Sequence, residues 1–180
     1  MSLSPRLPVG LLAGALAGAV GTAAMDLVLY SRYRRGGGQD SLWQWEFAGG
    51  VTSWDKASAP GQLGQKVERL VTGRQPPDDW ARPTTNLVHW ATGIGWGLQY
   101  AALASRTSRR RWLRALALGP VAWLASYAIL PLAKVYKPIW AYDARTLGDD
   151  LSAHLVFGTA TSAAFAVLTR GSRCSANTTE

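Results

Sequence analysis

Four apolar segments, residues 8–30, 84–104, 115–133 and 151–169, constrain this chain more than any other feature of its sequence. Each approaches or exceeds the roughly 20 helical residues that cross a hydrocarbon core of about 30 Å. The first holds one ionisable residue, Asp26, and the other three hold no Asp, Glu, Lys or Arg. They are apolar nearly all round, whereas helices of a soluble bundle carry a polar stripe. The expected fold is all-α: an integral membrane bundle of four transmembrane helices in a single domain, residues 1–170, followed by a disordered tail, 171–180. Pro120 and Pro131 in the third segment are compatible with a membrane helix, where kinks are tolerated. The first segment exceeds the apolar core of about 7–15 residues typical of a secretory signal, so it is read as a retained span.

The remaining composition agrees with a membrane setting. Mean hydropathy is near zero only because charges gather between the apolar segments. The net charge of +8 lies largely beside those segments, which points to anionic membrane lipid as the partner and away from nucleic acid. The single cysteine, Cys174, excludes an intrachain disulfide framework and a thiolate cluster.

A long connection, residues 31–83, separates the first two segments. A loop of that length needs structure of its own. Within it, Leu63, Val67, Leu70 and Val71 share one helical face and Gly73 provides a stop, which predicts a short amphipathic helix over 60–72. The connection 105–114 carries Arg106, Arg109, Arg110, Arg111 and Arg114. Short arginine-rich loops stay cytoplasmic, so both termini are expected on the cytoplasmic side. Arg32, Arg34 and Arg35 oppose that orientation, and the denser short loop is given the greater weight.

Antiparallel crossings put Asp26, His89, Lys134, Asp150 and His154 in one layer towards the outer side. Ionisable groups at membrane depth face a bundle interior or a wet cavity. This polar layer is therefore the candidate site, with proton relay, metal binding or capture of a lipid head group as its possible uses. The plainer alternative is that Asp26 pairs with a histidine or Lys134 and merely fixes helix register. No H-x-x-H or E-x-x-H spacing supports a metal site, and no catalytic triad order, Walker loop or dinucleotide fingerprint occurs. No metal or cofactor is therefore expected, and the sequence leaves any catalytic residue unassigned. Trp43, Trp45, Trp140, Lys134 and Lys137 are candidate contacts for a lipid head group or a partner, the two lysines being bracketed by Pro131 and Pro138. Gly10, Gly14 and Gly18, with Gly93 and Gly97, form small faces suited to close helix packing.

The glycine-rich stretch Gly10-Leu11-Leu12-Ala13-Gly14, the second segment's Val88-His89-Trp90 and the last segment's His154-Leu155-Val156 resemble the YagU-like bacterial inner-membrane proteins. The stretches Lys134-Val135-Tyr136-Lys137-Pro138-Ile139-Trp140 and Asp150-Leu151-Ser152-Ala153-His154 are also similar to those of uncharacterised actinobacterial four-span membrane proteins. The resemblance implies a polytopic bacterial membrane protein and supplies no catalytic residue. The glycine faces and aromatic outer side lead to a first expectation of a non-enzymatic accessory or scaffold subunit, a homo-oligomer or part of a larger membrane complex. A proton-linked channel or carrier using Asp26, His89 and His154 comes second, and a lipid-modifying enzyme third.

Overall fold

A computed structural model describes residues 6–106 and 111–174, and these residues form helices with no strand among them. The helices are α1 (Arg6–Arg35), α2 (Leu42–Glu46), α3 (Ala59–Thr72), α4 (Ala81–Arg106), α5 (Arg111–Leu132) and α6 (Ala144–Cys174). Short 3-10 turns lie at Trp54–Lys56, Asp78–Trp80 and Ile139–Ala141. Of the tail, residues 171–174 continue α6, and 175–180 lie outside the described residues. So do 107–110, the centre of the arginine-rich connection.

Three helices are long and apolar enough to cross a membrane, over Val9–Arg35, Ala115–Leu132 and Ala144–Arg170. The expectation was four. The difference is α4, which has the length, at 26 residues, but carries Arg82, Asn86, His89 and Gln99. Its polar groups lower its hydropathy, and three of them are committed to the site described below.

The packing is that of a chain whose surroundings are apolar. On α1 the large aliphatic side chains point outwards and the small ones inwards. Val9, Leu12, Leu16, Val20 and Leu27 form an exposed stripe while Ala13 and Ala17 are buried. The largest fully buried side chains are Thr22 and Thr161. In water this distribution would waste hydrophobic burial. In lipid, where apolar side chains gain little by leaving the tails, small residues let backbones approach and van der Waals contact holds the helices together.

The chain divides into two compact units. The first comprises Met1–Met25, Gly93–Ala122 and Leu151–Glu180. Here the glycine faces meet each other: a Cβ on Gly18 would lie 2.5 Å from the Gly93 carbonyl oxygen, and one on Gly14 would lie 2.7 Å from that of Gly97. Gly119 of α5 sits against the backbone of His154 and Leu155. Tyr100, Leu118, Ala122 and Phe157 form the buried cluster of this unit, flanked by Met25, Trp96, Ala104 and Phe165.

The second unit comprises Asp26–Thr92 and Trp123–Asp150. α3 forms where the apolar spacing placed a helix, and Gly73 ends it at φ 70°. Gly61 and Gly64 let α3 approach Thr84, Thr85 and Val88 of α4, while Val67, Leu70 and Val71 remain exposed. A small core of Trp54, Ala57 and Ala81 anchors the connection. The Trp54 indole N–H donates to the carbonyls of Pro76 and Pro77 at 2.9 and 3.1 Å.

α1 runs beyond the expected boundary at Tyr30, so that Arg32, Arg34 and Arg35 occupy its last turn, where cations complement the helix dipole. Arg32 Nη1 donates to the Asp149 carbonyl at 2.6 Å, and Arg34 Nη1 to that of Asp40 at 3.4 Å. These arginines have structural roles at the end of α1, whatever their weight in orientation.

α5 ends in a Schellman motif: Val135 N–H bonds to Leu130 O and Lys134 N–H to Pro131 O, both at 2.9 Å. Lys134 takes the left-handed position at φ 53°, which favours glycine. Lys134→Gly is therefore expected to stabilise the protein by about 1 kcal/mol, as a raised thermal midpoint in detergent.

Candidate functional site

Ionisable chemistry in the second unit converges on three residues from three helices. Asp26 on α1 is only 3% exposed. Its Oδ2 lies 2.8 Å from Nε2 of His89 on α4. Glu46, the last residue of α2, completes the group: one donor atom from each of Asp26, Glu46 and His89 lies within 4.8 Å of the others.

The placement of Glu46 follows from local sequence on both sides of it. Ser41 caps α2 with a reciprocal box, its Oγ accepting from Gln44 N–H at 3.3 Å and its own N–H donating to Gln44 Oε1 at 3.2 Å. Trp45 then packs on Tyr30 and Tyr33 of α1, with ring centroids 5.6 and 6.2 Å apart. Asp26, Tyr30 and Tyr33 follow a helical repeat, so the aromatic face that seats Trp45 is also the face that presents Asp26.

On the other flank, the Phe47 carbonyl accepts from Arg82 Nε at 3.0 Å and from Asn86 Nδ2 at 3.1 Å. Arg82, Asn86 and His89 lie on one face of α4 by the same spacing. The two donors clamp the residue after Glu46 beside the turn that carries His89. α2 is thus tied to α1 by an aromatic ring and to α4 by a carbonyl, with Glu46 between them. Tyr33 Oη donates to Asp40 Oδ2 at 2.6 Å, and Gly38 lies against the Tyr33 ring, where a Cβ would overlap it; both fold the preceding loop onto α1.

The electrostatics of the group are unbalanced. Glu46 Oε1 is buried and has no hydrogen-bond partner among the described residues. Burial foremost, and then the Asp26 carboxylate, push the Glu46 carboxyl up from 4.5 to about 7, with His89 acting in the opposite sense. A carboxyl raised in the folded state stabilises the fold below its ordinary value, and that contribution is lost as pH rises through the raised one. Chelator-treated protein is therefore expected to lose thermal stability from about pH 4.5 to about pH 7. Glu46→Gln is expected to flatten this dependence in differential scanning fluorimetry across that range.

The other expected site residues are placed differently. His154 belongs to the first unit, and its backbone packs on Gly119. Asp150 acts electrostatically on Tyr136, whose hydroxyl is pushed up to about 12, first by burial and then by that carboxylate. Tyr136 stands in a ring cluster with Tyr127 and Tyr142 at centroid distances of 5.4 and 6.2 Å. Lys134 and Lys137 are both exposed. Trp140 is 84% exposed and Trp43 70%, the latter stacked on Phe47, while Trp45 is the buttress of α2. The structure therefore joins Asp26 to His89, as one reading of the polar layer expected, and adds Glu46, which sequence reasoning passed over. The readable signal for Glu46 was the Ser41-x-x-Gln44 capping box, which places a short helix ending on a lone acid among aromatics.

Two carboxylates and an imidazole held this closely can bind a cation: a proton shared between the acids, or a metal ion. Comparisons with protein-family profiles, curated proteins and solved structures find no match.

Proposed function

We propose that this chain is a polytopic bacterial inner-membrane protein that carries or conducts a cation through the Asp26–Glu46–His89 site. α4 serves as its fourth crossing, and both termini are cytoplasmic. The observation that carries the reading is a carboxylate only 3% exposed on a helix of membrane-crossing length, paired with an imidazole and facing a second carboxyl group. Desolvating two acids is costly unless a cation neutralises them. Three of the α4 residues that depress its hydropathy, Arg82, Asn86 and His89, build this site, which supports counting α4 as a span. The arginine-rich 105–114 connection supports the orientation.

Of the two motives for the scaffold reading, the glycine faces are engaged inside one chain at Gly14, Gly18, Gly93 and Gly97, while the aromatic surface keeps Trp43 and Trp140 exposed. The carrier reading uses Asp26 and His89 with Glu46, in place of His154.

Reconstitution tests it. Liposomes containing the protein and loaded with indicators for protons and for divalent ions should show protein-dependent flux of one of them, reduced at least tenfold by Asp26→Asn. Flux equal to that of empty liposomes for every cation would overturn the reading.

A further inference from the structure

We infer that Asp26, Glu46 and His89 form a binding site for one divalent transition-metal ion of the manganese, iron or zinc class. The inference rests on the cation reading above and names the ion that the site selects.

Donor chemistry makes the selection. One imidazole nitrogen with two carboxylate oxygens is a mixed set. Imidazole suits zinc, iron and nickel, and carboxylate suits manganese, whereas calcium and magnesium take all-oxygen shells. Charge agrees: a divalent ion neutralises the carboxylates of Asp26 and Glu46 together, where a monovalent ion would leave one negative charge in a desolvated place.

Geometry agrees as well. Bonds of about 2.0–2.2 Å hold the donors of one ion roughly 3–4.4 Å apart. The three donor atoms here lie within 4.8 Å of one another, with Nε2 and Oδ2 at 2.8 Å. The Asp26–His89 contact must open slightly and Glu46 move in slightly, both within the reach of side-chain rotation. His89 then presents Nε2 as a lone pair and keeps its proton on Nδ1. Glu46 Oε1 is a buried oxygen with no hydrogen-bond partner among the described residues, although the Glu46 carboxyl as a whole hydrogen-bonds Asp26; the clamps on Trp45 and Phe47 hold it next to Asp26 and His89. Three protein ligands leave coordination positions open for water or for onward transfer of the ion.

The test is equilibrium binding to the full chain in mild detergent, stripped with chelator and titrated separately with Mn2+, Co2+ and Zn2+ by calorimetry. One ion per chain is expected. Glu46→Gln and His89→Gln should each weaken binding by roughly tenfold or more, and His154→Gln should leave it unchanged. Glu46 sits on a short, half-exposed helix, so Glu46→Gln decides the matter even if a substitution at Asp26 prevents folding. Absence of saturable binding by the unsubstituted protein overturns the inference, as does equal binding by Glu46→Gln and His89→Gln. Stoichiometric binding without flux in liposomes would uphold the metal site and remove the carrier reading. Proton flux without metal binding would do the reverse.

Discussion

Gly97→Leu is expected to destabilise the protein by about 3 kcal/mol or more, beyond the usual cost of an overpacked core. A Cβ at this position would fall on the Gly14 carbonyl and lie 2.6 Å from Gly18 Cα. The obstructing atoms are backbone on a helix, so no rotamer change relieves the clash, and α1 and α4 must separate in the first unit. That separation forfeits the dispersion contacts of the small-residue face, the main source of helix association in lipid. Gly95, two residues away, is the matched control, because nothing lies within 4 Å of its added Cβ. Gly95→Ala should raise stability by up to about 1 kcal/mol through helix propensity alone. Thermal unfolding of both variants in one detergent, followed by circular dichroism, checks the contrast. Equal midpoints for the two would contradict the packing described here.

His89→Ala in ion-free protein is the second large effect expected, a loss of about 2–3 kcal/mol. Removing one partner of a buried pair leaves the other charge uncompensated, which costs about 3–5 kcal/mol when both are fully enclosed. His89 retains 25% side-chain exposure and Asp26 only 4%, so the lower figure applies. The loss should be partly recovered on adding Asp26→Asn, since a neutral amide no longer needs the imidazole; a coupling of about 1–2 kcal/mol between the two substitutions is expected. A double-mutant cycle from urea unfolding in detergent measures it. Additive losses would mean that the 2.8 Å contact contributes little to the fold.

The parts of this architecture that follow from local periodicity were legible in the sequence. Apolar runs marked α1, α5 and α6, the Leu63, Val67, Leu70 and Val71 spacing marked α3, and Gly14, Gly18, Gly93 and Gly97 marked the close-packed faces, whereas Gly10 of the same series has nothing within 4 Å of an added Cβ. Asp26 and His89 stood out because an ionisable group in an apolar helix demands a partner. Hydropathy fixes depth along a helix axis but not the direction a residue faces. His154 falls in the first unit and His89 in the second. Glu46 was not legible as a site residue because its position depends on two non-local attachments, Trp45 on the α1 tyrosines and the Phe47 carbonyl on Arg82 and Asn86. Lys134 was read for its charge, while its structural role lies in its backbone, since a left-handed C-cap at a lysine leaves no mark in composition.

The joint action of Asp26, Glu46 and His89 on one ion is tested most directly by pulsed electron paramagnetic resonance of Mn2+ added to the chelator-stripped full chain. Nitrogen coupling from one directly bound imidazole is expected, lost in His89→Gln, with no such change in His154→Gln. A spectrum of fully hydrated Mn2+, or a nitrogen coupling that persists in His89→Gln, would contradict it.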